Sequence, residues 1–185
     1  MSMVSLLTAQ TAPETVHQFF AAGDPGPIAS SLAHIPDIMQ KALPFIGNTL
    51  GPTSIDKRTK EIVILRASAL QQCRYCVNTH SFIARNSGLS KEEVQALQGS
   101  GDATKAFANE REKVLIRWTS AVAKGPQDIS KDLKEEFKKH FKEAEVVELT
   151  LLAGATVMLN RYATALDLPV AATHLEFLKN EGLAF

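Results

Sequence analysis

From Asp56 to Ser87 the chain runs through thirty-two residues with neither glycine nor proline, and every part of the stretch is compatible with helix. One helix of that length exceeds what an ordinary globular domain uses. The sequence therefore predicts two helices in close succession, broken near Gln71-Gln72. That break puts Cys73 and Cys76 in the first turn of the second helix, where unpaired backbone N–H groups and the positive end of the helix dipole favour a thiolate.

Helical periodicity and helix punctuation recur along nearly the whole chain, whereas alternating strand patterns with hairpin turns are absent. The fold class is therefore all-α. Pro13 is expected to open a first helix reaching about Ala22, and Gly23-Asp24-Pro25-Gly26-Pro27 reads as a loop. Pro36 suits a first helical turn, and Pro44 is expected to kink or end the segment holding Met39 and Leu43. Gly88 stops the helix after the cysteines, Ser90 to Glu93 forms a capping box, and Gly99 ends the helix that follows. Beyond the loop Ser100-Gly101-Asp102, an amphipathic helix from about Asn109 to Lys124 turns Val114, Leu115, Trp118 and Val122 inward, with Trp118 as a core anchor. Ser130 caps a charged helix running to about Phe141, and a very apolar helix spans about Ala144 to Leu166. The organisation expected is an N-terminal helical region over residues 1–53, a core over 54–169 and a C-terminal tail helix over 170–185.

With 185 residues and 45% hydrophobic composition the chain can fill a real core. Twenty basic residues balance twenty acidic ones, which removes the positive field that nucleic-acid binding needs and makes charge-driven membrane recruitment equally unfavourable. No Lys or Arg precedes Lys41, so a signal peptide would lack its basic start. No apolar run approaches the roughly 18 residues of a membrane span. The expected location is cytoplasmic, where a paired Cys-x-x-Cys is more plausibly catalytic than a structural staple.

The only two cysteines of the chain, Cys73 and Cys76, stand three positions apart, with His80 four residues later and Glu61 twelve residues earlier. On a helix the two sulfurs lie on neighbouring turns, where one can attack an oxidised partner and close a disulfide. A free cysteine has a pKa of about 8.5 and needs a base or positive field to become thiolate near neutrality. His80, one turn after Cys76, is the candidate base, and Glu61 is the candidate carboxylate that fixes its tautomer. A metal site is the weaker reading, because no second Cys/His cluster supplies the remaining ligands. Buried structural cysteines remain the third reading. His17, His34, His140 and His174 belong to no constellation and read as surface or packing residues.

The stretch from Glu148 echoes the stretch from Glu61 at an offset of 87: Glu148 stands to Asn160-Arg161-Tyr162-Ala163 as Glu61 stands to Cys73-Arg74-Tyr75-Cys76. This is the pattern of a degenerate internal repeat whose second copy carries no sulfur and keeps a packing role. Arg74, Tyr75, Arg161 and Tyr162 are assigned to packing or subunit contacts.

Arg58-x-x-Glu61, Cys73-x-Tyr75-Cys76, His80, Ala84, Gly88-Leu89-Ser90 and Glu93 resemble the core of the alkylhydroperoxidase-D-like branch of the carboxymuconolactone decarboxylase family. Glu148, Asn160-Arg161 and Leu166-Asp167-Leu168-Pro169 are similar to its C-terminal helix, so the likeness covers about Ser54 to Pro169. The resemblance implies an all-helical homo-oligomer, trimeric or hexameric, that reduces hydroperoxides in antioxidant defence without a cofactor or metal. It implies Cys76 as the attacking thiol, Cys73 as the resolving thiol, and His80 with Glu61 as a proton relay. The partner it calls for is a dithiol reductant of lipoyl or thioredoxin type. Tyr75 departs from the family's best-known pattern, which has a histidine between the cysteines. The rival readings are a lactone decarboxylase using Glu61, His80 and Arg58 without sulfur chemistry, and a redox-sensing oligomer without turnover.

Overall fold

A computed structural model describes residues 2–185. Among the described residues all regular structure is helical. The nine α-helices are α1 (Pro27–Leu32), α2 (Pro36–Leu50), α3 (Lys57–Leu70), α4 (Arg74–Asn86), α5 (Lys91–Gln98), α6 (Glu110–Lys124), α7 (Lys131–His140), α8 (Glu143–Ala165) and α9 (Ala172–Glu181).

The bundle is organised around α3, which packs against α4, α5, α6 and α8. Every residue from Lys60 to Ala69 is buried, so this helix has no solvent face. Ile62, Val63, Ile64 and Leu65 join Val114, Leu115 and Trp118 of α6 and Leu149 and Leu152 of α8 in one core. Trp118 is indeed an anchor: its ring stacks on Phe137 at 4.5 Å and its indole N–H donates to Thr150 Oγ1 at 3.1 Å. A second cluster, built on Val16, Phe20, Leu32 and Met39, packs the N-terminal helices together.

Sealing α3 forces its polar residues to find partners inside the protein. Lys60 is fully buried and donates to the carbonyls of Thr49 and Gly51 at 2.9 and 2.6 Å, and its Nζ lies 2.7 Å from Glu148. Arg66 donates to Leu97 O, Gly99 O and Ser120 Oγ, holding the end of α5 against α6. The two glutamates of the internal echo thus have different fates. Glu148 neutralises a lysine, Glu61 meets a histidine, and α8 runs unbroken through the positions that match the α3–α4 break.

Two local expectations are corrected. Pro13 opens a seven-residue 3-10 helix (Glu14–Phe20) rather than an α-helix, with only Val16 and Phe20 buried. Pro44 does not end its helix: α2 continues to Leu50. Pro44 and Gln40 are both exposed, so the carbonyl left without its N–H partner is hydrated, while Met39 and Thr49 stay buried on the opposite side.

The predicted break between α3 and α4 is present and has a specific construction. Gln72 adopts a left-handed backbone with φ of 53°, Cys73 N–H donates to Ser68 O at 3.1 Å and Gln72 N–H to Ala69 O at 3.0 Å. These two bonds close the orphan carbonyls of α3, a role usually given to glycine at the left-handed position. An L-residue there costs about 1–2 kcal/mol relative to right-handed backbone. Gln72→Gly is therefore expected to stabilise the protein by roughly 1 kcal/mol after allowing for glycine's extra chain entropy. An unchanged or lowered urea midpoint at constant m-value would contradict this.

Candidate active site

Cys73 ends one helix and begins the next. It follows the left-handed Gln72, and its Sγ accepts the Cys76 N–H at 3.4 Å as the N-cap of α4. Cys76, in the first turn, places its Sγ 2.7 Å from that of Cys73. Both are free thiols. Cys73 has no exposed surface and Cys76 retains 4%. They pack with Ala163 and Leu168, so the residue of α8 that echoes Cys76 sits in the same cluster as Cys76 itself.

Behind the sulfurs, His80 Nδ1 and Glu61 Oε2 are 2.9 Å apart, joining α4 to α3. Glu61 is 3% exposed, and a carboxylate removed from water in this way needs a cationic or donor partner. The contact fixes which ring nitrogen faces the carboxylate, leaving Nε2 without a hydrogen bond among the described residues. His80 makes no hydrogen bond to either sulfur among the described residues. The two are linked instead by a small pocket lined by Cys76, His80, Ser68, Tyr75, Thr156 and Asn160 together with Ile28, Leu50, Ile64 and Leu159. Cys73 does not line it.

Electrostatics splits the thiols. The Cys76 sulfur 2.7 Å away lowers the pKa of Cys73 against the opposing effect of burial, helped by the hydroxyl of Thr164, the Cys76 N–H and the side-chain amide of Asn160. Cys76 moves the other way, raised first by its bond to Cys73 and then by burial. The two thiols therefore titrate as one coupled pair. Burial, followed by the neighbouring Cys76, pushes the Tyr75 phenol up to about 12, so it remains neutral.

The structure brings together all four residues singled out in the sequence. It also adds Asn160, assigned above only to packing. Asn160 is 1% exposed, its Nδ2 donates to Ser68 Oγ at 2.9 Å, and its Oδ1 is buried without a partner among the described residues. The signal for it was a lone amide in the apolar helix α8, at the position that echoes Cys73. Arg58, invoked for sulfur-free chemistry, is committed elsewhere: it donates to Glu93, Glu112 and Gly88 O, tying α3 to α5 and α6. Among the described residues no group of three His, Cys, Asp or Glu side chains is placed to hold a metal ion.

Residues 36–125 match the model of the Carboxymuconolactone decarboxylase family. The uncharacterized protein YdfG of Bacillus subtilis (strain 168) is 23% identical over 115 residues, covering 62% of this chain and 77% of its own. Among solved structures, an uncharacterized peroxidase-related protein with an alkylhydroperoxidase AhpD core from Ralstonia eutropha JMP134 aligns with a TM-score of 0.81 at 18% identity, over 96% of this chain and 95% of that one. A cysteine-to-alanine form of the debrominase Bmp8, in complex with 2,3,4-tribromopyrrole, aligns with a TM-score of 0.77 at 19% identity, over 98% of this chain and all of its own. At these identities the structural likeness establishes the fold.

The coupling of the thiols can be measured directly. Thiolate absorbance near 240 nm should appear at lower pH than for an ordinary cysteine, because the neighbouring Cys76 sulfur depresses Cys73. Removing that neighbour in Cys76→Ala should shift the transition to higher pH; a transition that stays in place would show that the sulfur–sulfur contact does not set it.

Proposed function

We propose, from the match of residues 36–125 to the Carboxymuconolactone decarboxylase family model and from the alkylhydroperoxidase-D-like fold, that this protein is a thiol-dependent peroxidase. It reduces hydroperoxides through Cys76 and Cys73 and serves antioxidant defence. The observation that carries the reading is one cavity shared by Cys76 and a carboxylate-held His80, with the second sulfur 2.7 Å behind the first.

As peroxide enters, His80, balanced by Glu61, takes the Cys76 proton across the pocket they share, and the Cys76 thiolate attacks the nearer peroxide oxygen. The S–O bond forms, the O–O bond breaks, and the sulfur's electron pair leaves with the distal oxygen as hydroxide or alkoxide. His80 then hands the proton it took from Cys76 to that oxygen, giving water or alcohol. Cys73 then attacks the sulfenic sulfur of Cys76, its proton leaves with the hydroxide as water, and the disulfide closes. An external dithiol of lipoyl or thioredoxin type supplies the two electrons that reset the pair.

Decarboxylation without sulfur is disfavoured by the commitment of Arg58 to Glu93 and Glu112. The fold shared with a debrominase raises reductive dehalogenation by the same dithiol as the second reading.

The working form is a homo-oligomer of trimeric or hexameric type. Its interface is the outer side of α8 with Phe45 of α2, where Val147, Leu151 and Met158 are 67%, 49% and 53% exposed around an apolar groove of about 670 Å³. A helix apolar on all sides is a buried helix. Gly154 lies in this groove with open space over its Cα; in a monomer it only weakens the helix, whereas in an assembly it lets another copy's backbone approach closely.

Peroxide consumption supported by a dithiol should vanish in Cys76→Ser. Mass spectrometry after limited peroxide should find a Cys73–Cys76 bond in the wild type and a sulfenic acid at Cys76 in Cys73→Ser; turnover that persists in Cys76→Ser would falsify the assignment. Leu151→Glu should lower the mass found by light scattering to that of a smaller assembly, and an unaltered mass would exclude this face as the interface.

A further inference from the structure

We infer that the reducing dithiol reaches the Cys73–Cys76 disulfide from a groove at the end of α8, and that Tyr75 is the gate it passes. This rests on the peroxidase reading and assigns a route to its reductive half.

Thiol–disulfide exchange requires one sulfur to be open to attack and the other to leave as thiolate. Cys73 has no exposed surface and is absent from the wall of the pocket, whereas Cys76 retains 4% and lines it. The sulfur attacked is therefore Cys76, approached from the pocket, and Cys73 is the leaving group. Cys73 is placed for that role as the N-cap of α4, where its Sγ accepts the Cys76 N–H at 3.4 Å and the positive end of the helix favours a thiolate.

A dithiol brings a carbon chain and a second thiol behind its attacking sulfur, and these need room beyond the pocket. Such room adjoins it. Gln72, Arg74, Tyr75, Thr164, Asp167 and Val170 line a groove between the α3–α4 turn and the end of α8. Among the described residues Tyr75 is the one side chain that lines both this groove and the pocket of Cys76. It is half-buried, packs against the cysteine cluster and belongs to the first turn of α4, so rotation about its own side-chain bonds opens the way without moving a helix. Gln72, Arg74, Thr164 and Asp167 are exposed, which lets the chain of a polar dithiol stay hydrated while its sulfur advances.

With the ring displaced, one thiolate of the reductant attacks Cys76 Sγ. A bond forms between those two sulfurs, the Cys73–Cys76 bond breaks, and its electron pair stays on Cys73. The second sulfur of the reductant then attacks the first, Cys76 leaves with the electron pair, and the reductant departs as a disulfide oxidised by two electrons. Its two thiol protons end on Cys73 and Cys76.

The test starts from protein whose disulfide is made with diamide, independently of peroxide, and follows loss of the Cys73–Cys76 bond under dithiothreitol by rapid quench and mass spectrometry. Tyr75→Ala should speed reduction about tenfold, the rate equivalent of no longer displacing a ring from its rotamer, and Tyr75→Phe, which keeps the ring, should match the wild type. Val170→Trp, which fills the groove, should slow reduction about tenfold while leaving oxidation of the reduced protein by hydrogen peroxide unchanged; Leu175→Trp repeats this from another wall of the groove. The thiol left in Cys73→Ser should react with dithiobis-nitrobenzoate faster than the thiol left in Cys76→Ser, and the reverse order would overturn Cys76 as the sulfur attacked. Equal reduction rates in the wild type and Tyr75→Ala would overturn the gate. A faster Tyr75→Ala beside two unaffected tryptophan variants would overturn the groove as the route. Failure of hydrogen peroxide to form the disulfide in the wild type would overturn the peroxidase reading and leave the reductive route intact.

Discussion

The burial of α3 on every side is the constraint from which the rest of the structure follows. A helix with no solvent face cannot leave Lys60, Glu61, Arg66 or Ser68 unpaired, because each isolated polar group would cost more than its neighbours' packing returns. Each is answered from a different direction: Lys60 by the end of α2 and by Glu148, Arg66 by the end of α5 and by α6, Ser68 by Asn160 of α8, and Glu61 by His80 of α4. Three of these answers fix the scaffold. The fourth is the candidate proton relay, so its rigidity comes from the same requirement that holds the fold together.

The second requirement is the turn that hands the chain from α3 to α4. A left-handed residue and two closing hydrogen bonds allow the direction to change within Gln71, Gln72 and Cys73. The reversal brings His80 back alongside Glu61 and puts Cys73 at the N-cap, where its sulfur meets a backbone N–H and the Cys76 thiol at once. Placing a sulfur where Ser, Thr, Asp or Asn usually stands turns a structural cap into a site for a thiolate. The same device closes α8, where Asp167 is left-handed and Leu168 N–H donates to Ala163 O. That ending sets Ala163 and Leu168 against the cysteines.

Much of this was legible in one dimension. Pro36, Gly88, Ser90 with Glu93, Asn109 and Ser130 act locally, through backbone geometry and hydrogen bonds within a few residues, and helix boundaries followed them closely. Pro44 escaped the local rule because its lost hydrogen bond falls on the wet side of α2, where water replaces it. Asn160 escaped because an amide in an apolar helix has the same appearance whether it supports packing or faces a cavity. Only the neighbours brought in from α3 and α4 distinguish the two.

The sequence by itself determined the helical class, the break before the cysteines, and the presence of two sulfurs, an imidazole and a carboxylate at intervals that one helix pair can join. These depend on periodicity and on contacts between near neighbours in the chain. Only the tertiary structure decided that Cys76 faces the pocket while Cys73 does not, that Arg58 is spent on α5 and α6, and that Asn160 stands in the pocket wall with the reacting sulfur. Those outcomes depend on which side of each helix is sealed by another, and burial is a property of the packed whole.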